Sequence, residues 1–123
     1  MLSKSRSKHK FVFLHHPLYP DEARGLHFGE SLDFYPAERD RLERLFERYR
    51  VNIVFTGHEH LYLRKTVNGV AHITTGDAGA PLYTAVEKGG FHHFLLVTVK
   101  RDGAEGQVID DKGMVRDSFE LKN

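Results

Sequence analysis

The feature that most constrains the fold is Val51 to His60, VNIVFTGHEH, an apolar run that stops at a glycine and then presents two histidines separated by one residue. Val51, Ile53, Val54 and Phe55 form a short β-branched and aromatic segment bounded by Arg50 and Gly57, the pattern of a buried strand in a parallel or mixed sheet. Ligands of open α/β sheets bind beyond the carboxyl ends of strands, so His58 and His60 fall where such folds place their chemistry. Two neutral imidazoles on one loop suit a transition metal; a polar loop without a ligand is the other reading of the pair.

A second segment is built the same way. In Lys10 to Pro20, KFVFLHHPLYP, the apolar run Phe11, Val12, Phe13 and Leu14 ends at His15, His16 and Pro17. Pro17 lacks a ladder donor and pushes His16 toward extended geometry, which stops the strand. Between the two runs, Pro36 opens a helix at its first turn, with Glu38 and Asp40 near the positive end of the dipole. Leu42, Leu45, Phe46 and Tyr49 fall at helical spacing as its buried stripe, while Arg39, Arg41, Glu43, Arg44, Glu47 and Arg48 mostly cover the wet face. The order strand, loop, helix, strand predicts a right-handed parallel crossover, which brings both histidine-bearing ends to one side of the sheet. His16 then points away from His15 if strand alternation continues, and stands behind the site rather than in it.

Beyond His60 the pattern changes to short strands and tight turns. Leu61 to Val67 and Val70 to Thr75 flank Asn68-Gly69, a strong hairpin signal. His92 to Lys100, Gly106 to Asp110 and Met114 to Leu121 continue as an antiparallel meander, forming one sheet, or much of one, of a packed sandwich. His72, His92 and His93 lie in strand-like runs and read as structural.

An ordered set of motifs runs along the chain: His15-His16-Pro17 at a strand end, then Gly57-His58-Glu59-His60, then Tyr62 and Arg64, and the glycine-rich run His72 to Tyr83, HITTGDAGAPLY. Over about Phe11 to Val99 this set resembles the C-terminal half of the calcineurin-like metallophosphoesterases, in the purple acid phosphatase-like branch. The resemblance implies an α/β fold, the C-terminal half of an α/β/β/α sandwich with a parallel β-α-β unit followed by the antiparallel meander. It also implies hydrolysis of phosphate esters at a dinuclear centre of divalent or trivalent transition metal ions, manganese, iron or zinc. Carried over by motif, His15 and His58 bind one metal and His60 its neighbour.

The long segment Leu18 to Tyr35 covers the site, and the resemblance gives its His27 the part of a general acid toward the leaving group; a solvent-exposed loop histidine is the alternative. Arg64 resembles the arginine that steadies the loop in relatives, and fits equally as a structural ion-pair partner. Asp77, in the turn Gly76-Asp77-Ala78-Gly79, either faces the site or simply forms the turn.

Relatives also carry an Asp-x-His block, a Gly-Asp block whose aspartate bridges the metals, and a Gly-Asn-His block, all before the His-x-Pro strand. Here no aspartate is followed two positions later by histidine, no asparagine is followed by histidine, and the single Gly-Asp pair is Gly76-Asp77. The expectation is therefore the His-rich half of a site that lacks its N-terminal Asp and Asn ligands, whether by truncation, by division between two chains, or by loss. Three histidines alone still hold one divalent ion such as zinc or nickel. A catalytically inactive fold remnant acting as a binding or assembly module is the alternative function.

With 123 residues and 40% hydrophobic content the chain makes a single partial domain over 11–123, preceded by a basic flexible tail over 1–10 that contains Lys4, Arg6, Lys8 and Lys10. A formal charge of +1 argues against a dedicated nucleic-acid surface. Phe11 to Leu14 is too short for a signal segment or a membrane span, and the cytoplasm is the default compartment. No cysteine is present, so disulfides and thiolate ligands are excluded. An apolar sheet face left uncovered by the missing half predicts a homo-oligomer or a partner chain over it.

Overall fold

The computed structural model describes residues 1–21 and 31–122. Their strands are β1 (Phe11–Phe13), β2 (Ile53–Thr56), β3 (Tyr62–Val67), β4 (Val70–Thr75), β5 (His93–Lys100), β6 (Gly103–Asp110) and β7 (Val115–Lys122), with one α-helix, α1 (Pro36–Arg48). Two sheets result, one ordered β1-β2-β4-β3 and one ordered β5-β6-β7. β1, β2 and β4 run parallel, with Phe11 beside Ile53 and Ile53 beside Ala71, while β3 pairs antiparallel with β4. The second sheet is antiparallel throughout.

The order of elements follows the sequence expectation, a parallel β-α-β unit and then antiparallel strands. The first hairpin, however, joins the parallel sheet instead of the meander. Its turn is the one that Asn68-Gly69 dictates, with φ of 47° and 84°, both positive as a two-residue hairpin of right-handed twist requires. β4 then carries Val70, Ala71 and Ile73 into the sheet centre beside β2.

Alternation along β2 builds two cores. Val54 faces the helix, where it packs with Leu18, Phe46, Val51 and Val70. Ile53 and Phe55 face the second sheet and meet Ala71, Ile73 and Phe119, with Leu95, Val97 and Leu121 around them. The layers are thus helix, sheet, sheet. Among the described residues nothing covers the outer face of the second sheet, where Phe94, Leu96 and Val115 are exposed.

α1 begins at Pro36 as expected and ends in a paired arrangement: Arg50 N–H donates to Glu47 C=O at 3.2 Å and Val51 N–H to Phe46 C=O at 2.9 Å, with Arg50 in the left-handed region at φ 54°. Its buried face differs from the sequence reading. Phe46 and Glu43 are buried, whereas Leu45 is exposed. Glu43 turns inward because β4 offers it a partner, the Nε2 of His72 at 2.8 Å.

β1 differs as well. The sequence reads it as a buried strand, but among the described residues it is an edge strand paired only with β2, and Phe13 is 74% exposed, stacked on Phe55 at 5.0 Å. β5 is the edge of the other sheet. The two edges border one apolar groove, lined by Phe11, Phe13, Phe55, Leu95, Val97 and Val99 among others. In the basic N-terminal segment, Leu2 packs beside the helix-side core, and Lys10 is held by Asn52 Oδ1 on its N–H and by the Tyr49 carbonyl on its ammonium.

Candidate metal centre

Parallel pairing sends β1 and β2 out of the sheet at the same end, and their ladder outlasts the strands. Leu14 N–H donates to Phe55 C=O at 2.9 Å and Gly57 N–H to His15 C=O at 3.0 Å, so His15 is fixed beside Gly57. After Gly57 the chain turns sharply. His58 takes the left-handed conformation at φ 67°, Glu59 N–H donates to Gly57 C=O at 2.7 Å and Leu61 N–H to Glu59 C=O at 2.9 Å. Glu59 and Leu61 are fully buried, with Glu59 Oε2 accepting from the Asp21 N–H at 3.2 Å, whereas His58 and His60 stay partly exposed. Burying the odd positions of the loop thus presents the even ones to an open cleft, which His15, His58 and His60 line together with Thr75, Gly76, Ala78 and Ala80.

Gly76 closes this loop from behind. Its N–H donates to Leu61 C=O at 3.3 Å, and a side chain there would collide with the Glu59 carbonyl.

His15, His16 and His58 each offer one imidazole nitrogen, and the three nitrogens lie within 4.8 Å of one another. Ring centroids are 5.2 Å apart for His15 and His58, 4.8 Å for His15 and His16, and 4.5 Å for His16 and His58. His16 does not point away from His15, because β1 ends at Phe13 and the chain bends at His15 and His16. His60 stands apart from these three. Its Nδ1 is 2.8 Å from the Pro81 carbonyl and its ring lies 5.4 Å from that of Tyr83. A carbonyl only accepts, so Nδ1 carries the proton and Nε2 is the basic nitrogen, the tautomer that a ligating histidine with a supporting carbonyl adopts. The gathered donors are all imidazole nitrogens, a set that fits zinc and its first-row neighbours and leaves coordination positions open.

The remaining sequence candidates fall as follows. His27 lies outside the described residues. Arg64 is a clamp between sheets: its Nε and Nη2 donate to Asp117 Oδ2 and Oδ1 at 2.9 and 3.2 Å, and Tyr62 O–H donates to the same Oδ2 at 2.6 Å. Asp77 is fully buried, and among the described residues neither carboxylate oxygen has a hydrogen-bond partner. Burial pushes its pKa up to about 6, against the pull of His92 and His60. Its backbone C=O accepts from the His93 N–H at 3.3 Å, so it braces the turn from behind the cleft. His93 also has a structural place, with Nδ1 toward the Phe91 carbonyl and Nε2 toward the Thr75 hydroxyl. Burial draws the pKa of His72 down to about 4 and that of its partner Glu43 up to about 7. Sequence reasoning missed the Glu59 anchor and the Glu43–His72 pair, since nothing in a charged run marks the carboxylate that turns inward.

No protein-family model matches the chain. A phosphoenolpyruvate phosphatase of Allium cepa is 30% identical over 120 residues, 91% of this chain and 24% of its own length. An Fe(3+)-Zn(2+) purple acid phosphatase of Arabidopsis thaliana is 28% identical over the same shares. Among solved structures, a purple acid phosphatase from yellow lupin seeds (Lupinus luteus) superposes with a TM-score of 0.75 at 21% identity, covering 98% of this chain and 26% of that one. In fold the chain is similar to the purple acid phosphatase structure, and along its sequence to the curated purple acid phosphatases. The chain spans about a quarter of the length of the first curated relatives it matches.

Proposed function

We propose that this chain supplies the histidine side of a phosphate-ester hydrolase centre, with His15 and His58 holding one transition metal ion and His60 facing its neighbour. The observation that carries this reading is the convergence of His15 and His58 at the ends of adjacent parallel strands, in a cleft that His60 also lines. The names of the curated relatives, phosphatases and one of them an iron–zinc enzyme, support phosphate esters as substrate and iron or zinc as the metal.

A metal there supplies charge neutralisation at the phosphoryl oxygens and lowers the pKa of bound water. The chain's own part is positional. His15 is fixed by the prolonged ladder, His58 by its left-handed backbone, and His60 by the Pro81 carbonyl that sets its tautomer. The gathered donors include no carboxylate among the described residues, so a bridging carboxylate comes from a further segment or chain. The open β1 edge and the apolar groove beside His15 support entry on that side, and His27 is proposed as proton donor to the leaving group.

The test is hydrolysis of chromogenic phosphate monoester and diester, with added manganese or zinc, by the wild-type chain and by His58→Ala across a range of protein concentrations. Metal-dependent turnover that rises more steeply than protein concentration, as a second copy completes the site, and that disappears in the variant is expected. Equal residual rates in both proteins at every concentration would sink a hydrolytic site completed by copies of this chain and leave the binding-module reading.

A further inference from the structure

We infer that His16 is a third ligand of the ion held by His15 and His58, so that this chain forms an all-histidine, three-donor site. The inference rests on the reading that His15 and His58 share an ion, and adds a donor that the motif itself does not assign. Consecutive residues of a strand present their rings to opposite faces. Here the strand has ended at Phe13, and the bend at His15 and His16 turns both rings toward His58.

The ring of His16 is nearer to that of His58, at 4.5 Å, than is the ring of His15, at 5.2 Å. A zinc ion bound at about 2.0–2.1 Å to each nitrogen would bring neighbouring donors to roughly 3.3 Å. From nitrogens within 4.8 Å, closure asks for movements on the order of an ångström. The side chains of His15 and His16 are exposed, although the backbone of His15 is held by the ladder, and the backbone of His58 is set in the left-handed region. His60, tied to Pro81, serves a separate position of the cleft. A donor set of three imidazoles without a carboxylate selects zinc, cobalt or nickel over manganese or magnesium.

The test is to label the chain with 15N-histidine and titrate it with zinc while following the ring nitrogens by NMR, assigned with His16→Ala and His60→Ala. At one equivalent the rings of His15, His16 and His58 should shift together while His60 stays in place, and His16→Ala should weaken zinc binding by about a hundredfold, at or beyond the outer end of what losing a supporting contact costs. Shifts at His15 and His58 with His16 unmoved would overturn the third ligand and leave the shared-ion reading standing. No zinc-dependent shift at His58 would overturn both.

Discussion

Gly76 shows how much of the candidate site depends on a residue with no chemistry of its own. Its missing Cβ is what allows the end of β4 to lie against the Glu59 carbonyl, and Glu59 is the anchor between His58 and His60. Gly76→Ala should cost about 1–3 kcal/mol of stability as the loop is pushed away, and should weaken zinc binding as well. Chemical denaturation paired with a zinc titration checks both; an unchanged zinc affinity would show that the histidines are held some other way. At this scale the sequence was partly legible. The histidines at 15, 58 and 60 could be read from strand ends, because an apolar run that stops at glycine or proline leaves little choice about where the next side chain goes. His16 was misplaced because alternation was carried past the end of its strand. Glu43 was hidden because a carboxylate among arginines and glutamates on a helix reads as solvated until its partner across the sheet is known.

That partner makes α1 and β4 a titrating unit. Glu43 binds His72, with Glu47 close enough to raise its pKa further. Burial holds the Glu43 proton up to about pH 7, against an ordinary 4.5, so its contribution to stability is complete below the lower value and lost as pH rises through the upper one. His72, shifted the other way from 6.5 to about 4, contributes above its ordinary value and loses that as pH falls. Glu43→Gln keeps a hydrogen-bonding group beside His72 and abolishes the first effect. Its melting temperature should therefore gain a few degrees on the wild type between pH 6 and pH 8; parallel melting curves for the two proteins would refute this. The elements themselves were readable from period and punctuation, Pro36 and Asn68-Gly69 most clearly. Which sheet the hairpin joins was not, since β4 could be recognised as apolar but its neighbour is chosen by tertiary packing.

For the molecule as a whole, the open edges of β1 and β5 border one apolar groove, and the outer face of the second sheet carries Phe94, Leu96 and Val115. Under the proposal that a further chain completes the site, Phe13 is the residue whose exposure most favours association. Phe13→Glu should shift the chain toward monomer in sedimentation equilibrium while leaving the histidines in place. A wild-type chain that stays monomeric at every concentration would rule out a second copy as the occupant.

Among the described residues β1 has three residues and one neighbour, whereas β2 is buried along its whole length between two. Amides of β1 should therefore exchange with solvent well before those of β2, the sheet opening from its rim inward. A metal shared by His15 and His58 would join the first strand to leave to the last one holding. Zinc should then slow exchange at Leu14, whose N–H donates to Phe55, more than anywhere in the second sheet; equal slowing throughout would contradict it. The ion would act as a latch on the order of unfolding, whatever it does to a substrate.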